Sequence, residues 1–233
     1  GVNQSASGAL HVRGGRSNEV GYFIDGVSVS NPFFTNSLAV SVSNKALEEM
    51  KLVSGAFNAE YGNAMSGVVN VKIKDGGKDY DGSISYYSGD YSSGDDQLFP
   101  NISDQSLTAN RTFDAFVSGP ILPAFGDKLT FNISLRQSNS EGYLFGVREH
   151  RPSDFAYFPA SGNWYIQMSG DSSYVPMNPS ESSNFLSKIT WRLSPTIKIS
   201  TQSILSSSQS KSYSHAYKYN PDGVSTGYSA NNN

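Results

Sequence analysis

The sequence predicts a membrane β-barrel wall preceded by a small mixed α/β domain, and three observations carry that expectation. From about residue 80 onward, apolar and polar residues alternate with a period of two in separate segments. The connections between those segments are by turns long and short, as in barrels whose loops are long on one side of a membrane and tight on the other. Residues 1–78 differ: they hold many glycines, short strand-like runs and one helix-like stretch.

In the first part, residues 9–12, 20–25 and 49–53 read as strand edges. Residues 44–52 read as a short helix, with Ser43 or Asn44 as the cap and Glu48 and Glu49 in its early turns. Residues 67–74 read as a strand, since Val69, Val71 and Ile73 alternate with Asn70, Lys72 and Lys74. Between these runs, Gly26, Gly55, Gly62 and Gly67 suit tight turns, and Asp25-Gly26 alone is a generic turn signal.

The second part, residues 79–233, supplies five strands. Gly82, Ile84 and Tyr86 mark the first, and Phe113, Ala115 and Val117 the second. In the third, Leu129, Phe131, Ile133 and Leu135 share one face, opposite Thr130, Asn132, Ser134 and Arg136. In the fourth, Phe185, Ile189, Trp191 and Leu193 oppose Asn184, Lys188, Thr190 and Arg192; in the fifth, Ile197, Ile199 and Leu205 oppose Lys198, Ser200, Gln202 and Ser206. This places Leu129, Phe131, Ile133, Leu135, Ile189 and Trp191 toward lipid, and Asn132, Arg136, Lys188 and Arg192 toward a lumen. The connections run through a polar segment at 88–111, a tight turn at 119–127, a long aromatic loop at 139–183 and a minimal turn at Ser194, Pro195 and Thr196. Structureless loops this long argue against a compact soluble domain.

Composition narrows the function classes. With 17 basic against 20 acidic side chains the net charge is −3, which argues against a nucleic-acid partner. Hydrophobic residues make up 37% and mean hydropathy is −0.40, low for a soluble core and lower still for a helical membrane protein, yet compatible with a barrel whose every second residue faces a polar lumen. No run approaches the roughly 18 apolar residues of a membrane helix. Cysteine is absent, which removes disulfides and thiolate metal sites. The chain begins at Gly1 with no leader and reads as a piece of a longer protein.

The run of residues 10–20, LHVRGGRSNEV, followed by YFIDGVSV at 22–29, resembles the Arg-Gly strand and Asp-Gly-Val turn of the plug domains of TonB-dependent outer-membrane transporters. The stretch at 46–74, with Tyr61-Gly62, a small-residue Gly turn and Val69-Asn70-Val71, is similar to that family's most recognisable segment. The resemblance implies a plug at 1–78 inside a barrel of about 22 strands when complete. It also implies import of a bulky solute, energised by the inner-membrane proton motive force through a TonB-type transducer. Other partners it implies are outer-membrane lipid and lipopolysaccharide, the unidentified solute and, as a further candidate, a surface lipoprotein. No enzymatic activity and no cofactor are expected. In the family, an arginine matching Arg13 and a second one in an Arg-Gly-Pro pair with barrel glutamates; here Ser54, Gly55 and Ala56 replace the latter, so Arg13 alone keeps the locking role. By position, Ser30, Asn31, Phe33 and Phe34 form an outward apex. There Asn31 can donate and accept hydrogen bonds and the two Phe offer flat apolar area for the solute, with Arg13 beside them as a binding residue. The two Phe could equally pack against the barrel wall.

Rival chemistries are poorly supported. The run from Gly223 through Ser225 to Gly227 matches a nucleophile elbow, but no histidine follows it. Ser208 and Lys211 match a Ser-x-x-Lys pattern by chance. His11, His150 and His215 lie too far apart for a metal or catalytic cluster. Arg13-Gly14-Gly15-Arg16 occurs once and reads as a turn rather than an RNA-binding tract. Asp90, Asp95 and Asp96, with Asp104, are weak metal candidates whose spacing fits no EF-hand. The aromatics Tyr157, Phe158, Trp164, Tyr165 and Tyr174 suit loop packing better than a ligand platform. The alternative function is a non-enzymatic β-rich adhesion or envelope scaffold.

Overall fold

The computed structural model describes residues 2–4, 10–29, 43–54, 64–160, 162–223 and 226–232. Among these the only helices are short 3-10 turns, and the strands form a four-stranded and a six-stranded sheet with three two-stranded pairs beside them. β1 (Val2–Gln4) and β2 (Leu10–Val12) form a small antiparallel pair. β3 (Val20–Ile24), β4 (Val27–Ser28), β5 (Leu47–Ser54) and β6 (Gly67–Ile73) form a mixed sheet in the order β4-β3-β6-β5, with β3 and β6 parallel.

Residues 44–52 are not a helix. Ser43 and Asn44 start a turn, closed by Ala46 N–H donating to the Ser43 carbonyl at 3.0 Å, and β5 follows, paired with β6 through Met50↔Val71 and Leu52↔Val69. The cap-like Ser43 instead accepts from the Lys45 N–H across the turn and donates to Asp114. A nine-residue stretch is too short to be stable as an isolated helix, and the open edge of β6 offers backbone partners along the whole of β5.

The second sheet contains β7 (Asp81–Gly89), β8 (Asn110–Pro120), β9 (Leu129–Ser140), β14 (Ser180–Ser194), β15 (Ile197–Lys211) and β16 (Thr226–Asn232). All are antiparallel, in the order β16-β15-β14-β9-β8-β7. The sixth strand, β16, lies in a polar Ser/Gly/Asn tail with no apolar alternation to betray it. The connection between β9 and β14 is not structureless: it carries two hairpins, one from β10 (Phe145–Val147) and β13 (Tyr174–Pro176), the other from β11 (Ala156–Tyr157) and β12 (Tyr165–Ile166). The loop aromatics pack on one another there, with ring centroids 5.2 Å apart for both Tyr157–Tyr165 and Phe158–Trp164.

This large sheet is inside-out relative to a soluble one. On β9 the polar Thr130, Asn132 and Ser134 are buried, as are Asn184, Lys188 and Thr190 on β14, while Ile189 and Trp191 are 42% and 49% exposed. A sheet that hides its polar face and bares its apolar one belongs in lipid. The buried face carries the mixed sheet. Val20, Tyr22 and Ile24 of β3 and Val69, Val71 and Ile73 of β6 form an apolar cluster that Leu186 of β14 and Ile204 of β15 complete from the wall.

That packing separates two similar substitutions. In the full-length protein, Leu186→Ala should destabilise docking of the mixed sheet by about 2–5 kcal/mol. Leu205→Ala, on the exposed face, should leave docking unchanged. Hydrogen exchange at β3 and β6 reads the difference; equal protection in the two variants would refute the cluster's role.

Candidate functional site

The junction of the two sheets begins at a turn. Asp25 (φ +48°) and Gly26 (φ +86°) both adopt positive φ, the two-residue hairpin geometry that links β3 to β4. This turn aims the Asp25 carboxylate across to β6, where Oδ1 accepts from Ile73 N–H at 3.2 Å. Just past β6 the chain reaches Asp75 and Gly76. A Cβ on Gly76 would lie 2.4 Å from the Phe131 carbonyl oxygen and 2.7 Å from Thr130 Cβ, so only glycine lets the backbone run this close to β9.

Three cations converge on this place from the wall. Lys188, whose side chain is 4% exposed, lies 3.0 Å from Asp25 Oδ2 and 2.9 Å from Asp75 Oδ1, and donates to the Ile73 carbonyl at 2.9 Å. Arg192 Nη2 is 3.1 Å and Lys198 Nζ 3.0 Å from Asp75 Oδ2. Thr190 Oγ1 donates to Asp75 Oδ1 at 3.1 Å, and Asn132 Nδ2 to the Lys74 carbonyl at 2.9 Å. Burial by itself would raise the Asp75 pKa, but hydrogen bonds from Lys188 and Lys198, together with their charges, hold it down at about 2. A second stitch sits higher on the wall. Buried Asp114 accepts from Ser43 Oγ at 2.9 Å and pairs with Arg136 at 3.1 Å, and Lys45 Nζ reaches Ser85 Oγ at 2.6 Å.

Comparison with known proteins shows what the two sheets resemble. Residues 1–68 match the family model described as TonB-dependent Receptor Plug Domain. The TonB-dependent transporter Oar of Myxococcus xanthus is 27% identical over 82 residues, which cover 35% of this chain and 8% of that protein. Residues 1–68 are similar to a TonB-dependent receptor plug. Among solved structures, the siderophore receptor PirA from Pseudomonas aeruginosa superposes with a TM-score of 0.53 at 17% identity, over 90% of this chain and 31% of its own. The outer membrane transporter YddB from Escherichia coli does so with 0.52 at 16%, over 87% and 27%. The likeness to these structures is one of fold: a plug sheet against a stretch of barrel wall. The chain spans under a tenth of the curated relative's length and about a third or less of the solved ones. Proteins of this kind are transporters and receptors rather than enzymes, and they reside in the outer membrane.

The plug–wall junction has the opposite polarity to the family pattern of plug arginines facing wall glutamates. Asp25 and Asp75 supply the carboxylates, and the wall supplies Lys188, Arg192 and Lys198. Sequence reasoning sent Lys188 and Arg192 inward but missed the two aspartates. The available signal was the recurrence of cations on the lumen-facing rows of β14 and β15 beside the minimal turn. Arg13 (φ +51°) is exposed in the turn after β2, with no carboxylate partner among the described residues. Gly15 N–H closes that turn on the Val12 carbonyl at 2.9 Å. Ser30, Asn31, Phe33 and Phe34 lie outside the described residues.

The remaining residues singled out from sequence serve local structure. Asp90 Oδ2 accepts from Ser106 N–H at 2.8 Å, Asp95 Oδ1 from the N–H of Gln97 and Leu98 at 3.1 and 2.9 Å, and Asp96 from the Ser103 hydroxyl. Among the described residues no group of three or more metal-binding side chains comes together. Each histidine has its own neighbour: His11 the Gly15 carbonyl, His150 the Gln167 carbonyl and His215 the Tyr213 hydroxyl. Ser208 and Lys211, three apart on β15, point to opposite faces of the strand and cannot form a dyad.

The depressed pKa of Asp75 makes plug docking acid-sensitive. Because the docked value is about 2 against an ordinary 3.8, the stabilisation is complete above about pH 4 and is lost as pH falls through about 2. It amounts to about 2 kcal/mol. A nitroxide on Met50→Cys, exposed on β5, would follow plug release in urea with the full-length protein. Wild type should lose stability over that window and Asp75→Asn should not; an identical acid dependence in both would remove Asp75 from the account.

Proposed function

We propose that this chain is the plug and first wall strands of a TonB-dependent transporter that imports a bulky solute. In this reading a TonB-type transducer, driven by the inner-membrane proton motive force, displaces the plug. The observation that carries it is the polar, ion-paired contact between plug and wall around Asp75. A permanent partition would be best sealed by apolar packing, since a buried ion pair adds little net stability over well-packed hydrophobic residues. Here, among the described residues, the wall adds only Leu186 and Ile204 to the apolar cluster, and the ions and hydrogen bonds around Asp75 can be exchanged for water when the plug shifts. In this reading the domain boundary is drawn at 78/79, between the Asp75–Gly76 contact and the start of β7 at Asp81.

Solute capture is assigned to Ser30, Asn31, Phe33 and Phe34, supported by their residue chemistry, and Arg13 is kept as a plug-locking and solute-binding residue toward wall strands beyond this chain. Lipopolysaccharide and outer-membrane lipid surround the apolar face that Ile189 and Trp191 expose. A surface lipoprotein is a further partner in this reading.

The test uses cells carrying the full-length gene. Depletion of a complex medium, followed by mass spectrometry, is compared among wild type, a receptor-null strain and a strain lacking the TonB-type transducer. At least one solute should vanish from the medium only when both receptor and transducer are present. Indistinguishable depletion profiles in all three strains would overturn the transport reading in favour of a scaffold.

A further inference from the structure

We propose that Lys188, Arg192 and Lys198 form an anion-binding site of the barrel wall itself, which the Asp75 carboxylate occupies while the plug is docked. The inference rests on the transport reading and extends it to the class of solute carried, one bearing a carboxylate or phosphate group.

The wall's own geometry argues for it. Arg192 and Lys198 stand directly opposite each other on β14 and β15. Like charges in that position destabilise a sheet unless an anion lies between them. Lys188 is four residues from Arg192 on β14, so it shares the same lumen-facing row. Here the anion is a single oxygen pair: Asp75 Oδ2 contacts Arg192 and Lys198, and Oδ1 contacts Lys188 and the Thr190 hydroxyl. Asp75 is the one carboxylate paired with Arg192 or Lys198 among the described residues. It does not belong to the wall: it sits on the segment that leads out of plug strand β6. Displacing that segment leaves three cations on the wall, with Asp25, itself on the plug, as the remaining carboxylate near Lys188.

The site also has room. It opens on a cleft of about 470 Å³ between plug and wall, lined by Lys188, Lys198 and Ser200 of the wall and by Asn70, Lys72 and Lys51 of the plug, with Asp25 and Glu49 as the acidic members. Two of its lysines are neutralised within the plug, Lys51 by Glu49 and Lys72 by Glu48, so the cleft becomes positive where Asp75 withdraws from Lys188 and Lys198, and there it favours an anionic group. Asp75 then acts as an internal stand-in for that group: it satisfies the cations in the resting state and yields them when the plug moves. The arrangement makes displacement of the segment and seating of the anion parts of one exchange, because neither leaves the cations unpaired.

The experiment uses the full-length protein in detergent micelles near pH 7 and tricarballylate, a plain tricarboxylate, as the probe. Calorimetry should show Asp75→Asn binding it at least ten-fold more tightly than wild type, and the gain should vanish when Arg192→Gln and Lys198→Gln are added. Wild-type protein gives an independent reading that needs no variant: tricarballylate should speed hydrogen exchange at residues 73–76 more than sodium chloride at equal ionic strength. No tightening in Asp75→Asn, a gain that survives removal of both cations, or equal effects of tricarballylate and chloride on exchange would each overturn the site. Cellular import is scored separately, so loss of import with tricarballylate binding intact supports the site while counting against the transport reading.

Discussion

The structure turns on one buried ammonium. Lys188 sits on a wall strand with its side chain almost wholly out of solvent, and all of its charge is answered by the plug side: Asp25, Asp75 and the carbonyl of Ile73. Taking a charge out of water costs several kcal/mol, and only close partners offset that cost. Each partner is positioned by a different local feature: Asp25 by a positive-φ turn, Ile73 by the end of β6, and Asp75 by the glycine that lets the chain press against β9. The plug therefore has one docked register, and moving any of these features leaves a buried charge without an answer.

Around this point the two sheets divide the work. The apolar cluster of β3 and β6, completed by Leu186 and Ile204, supplies non-directional adhesion, and the ions supply register. Leu186 and Ile204 stand among polar neighbours on the lumen face of β14 and β15, at the places where the plug presents its own apolar face. The opposite face of the wall, where Ile189, Trp191, Ile199 and Leu205 are exposed among the described residues, is matched to lipid. Long connections gather at one end of the wall and tight ones at the other, and the cationic rows of β14 and β15 meet Asp75 near the tight end.

Much of this was legible in the residues. Strict alternation placed β9 and β14 with the correct faces, because a one-residue slip would have turned every side chain around. β6 was also legible, through the alternation of Val69, Val71 and Ile73 with Asn70 and Lys72, and β3 as a strand edge at 20–25. Two features were not legible for a physical reason. Residues 44–52 carry a cap-like Ser43 and early glutamates, and these local signals lost to the unpaired edge of β6, which no local pattern reports. β16 has hardly any apolar residues to alternate and is recruited by backbone pairing along β15. The junction was half-visible: the inward cations follow from alternation, whereas Asp25 read as an ordinary turn residue and Asp75 carried no local signal. Their pairing spans more than a hundred residues of sequence, a separation that periodicity cannot bridge.

The central claim is that Asp75 and Lys188 hold plug and wall together as a coupled pair rather than as two independent surface charges. A double-mutant cycle in the full-length protein tests it most directly, with plug release in urea measured for wild type, Asp75→Asn, Lys188→Met and the double variant. A coupled pair predicts an interaction energy of at least about 1.5 kcal/mol, with the double variant less damaged than the single losses combined. Single-variant effects that add to within about 0.5 kcal/mol would contradict it.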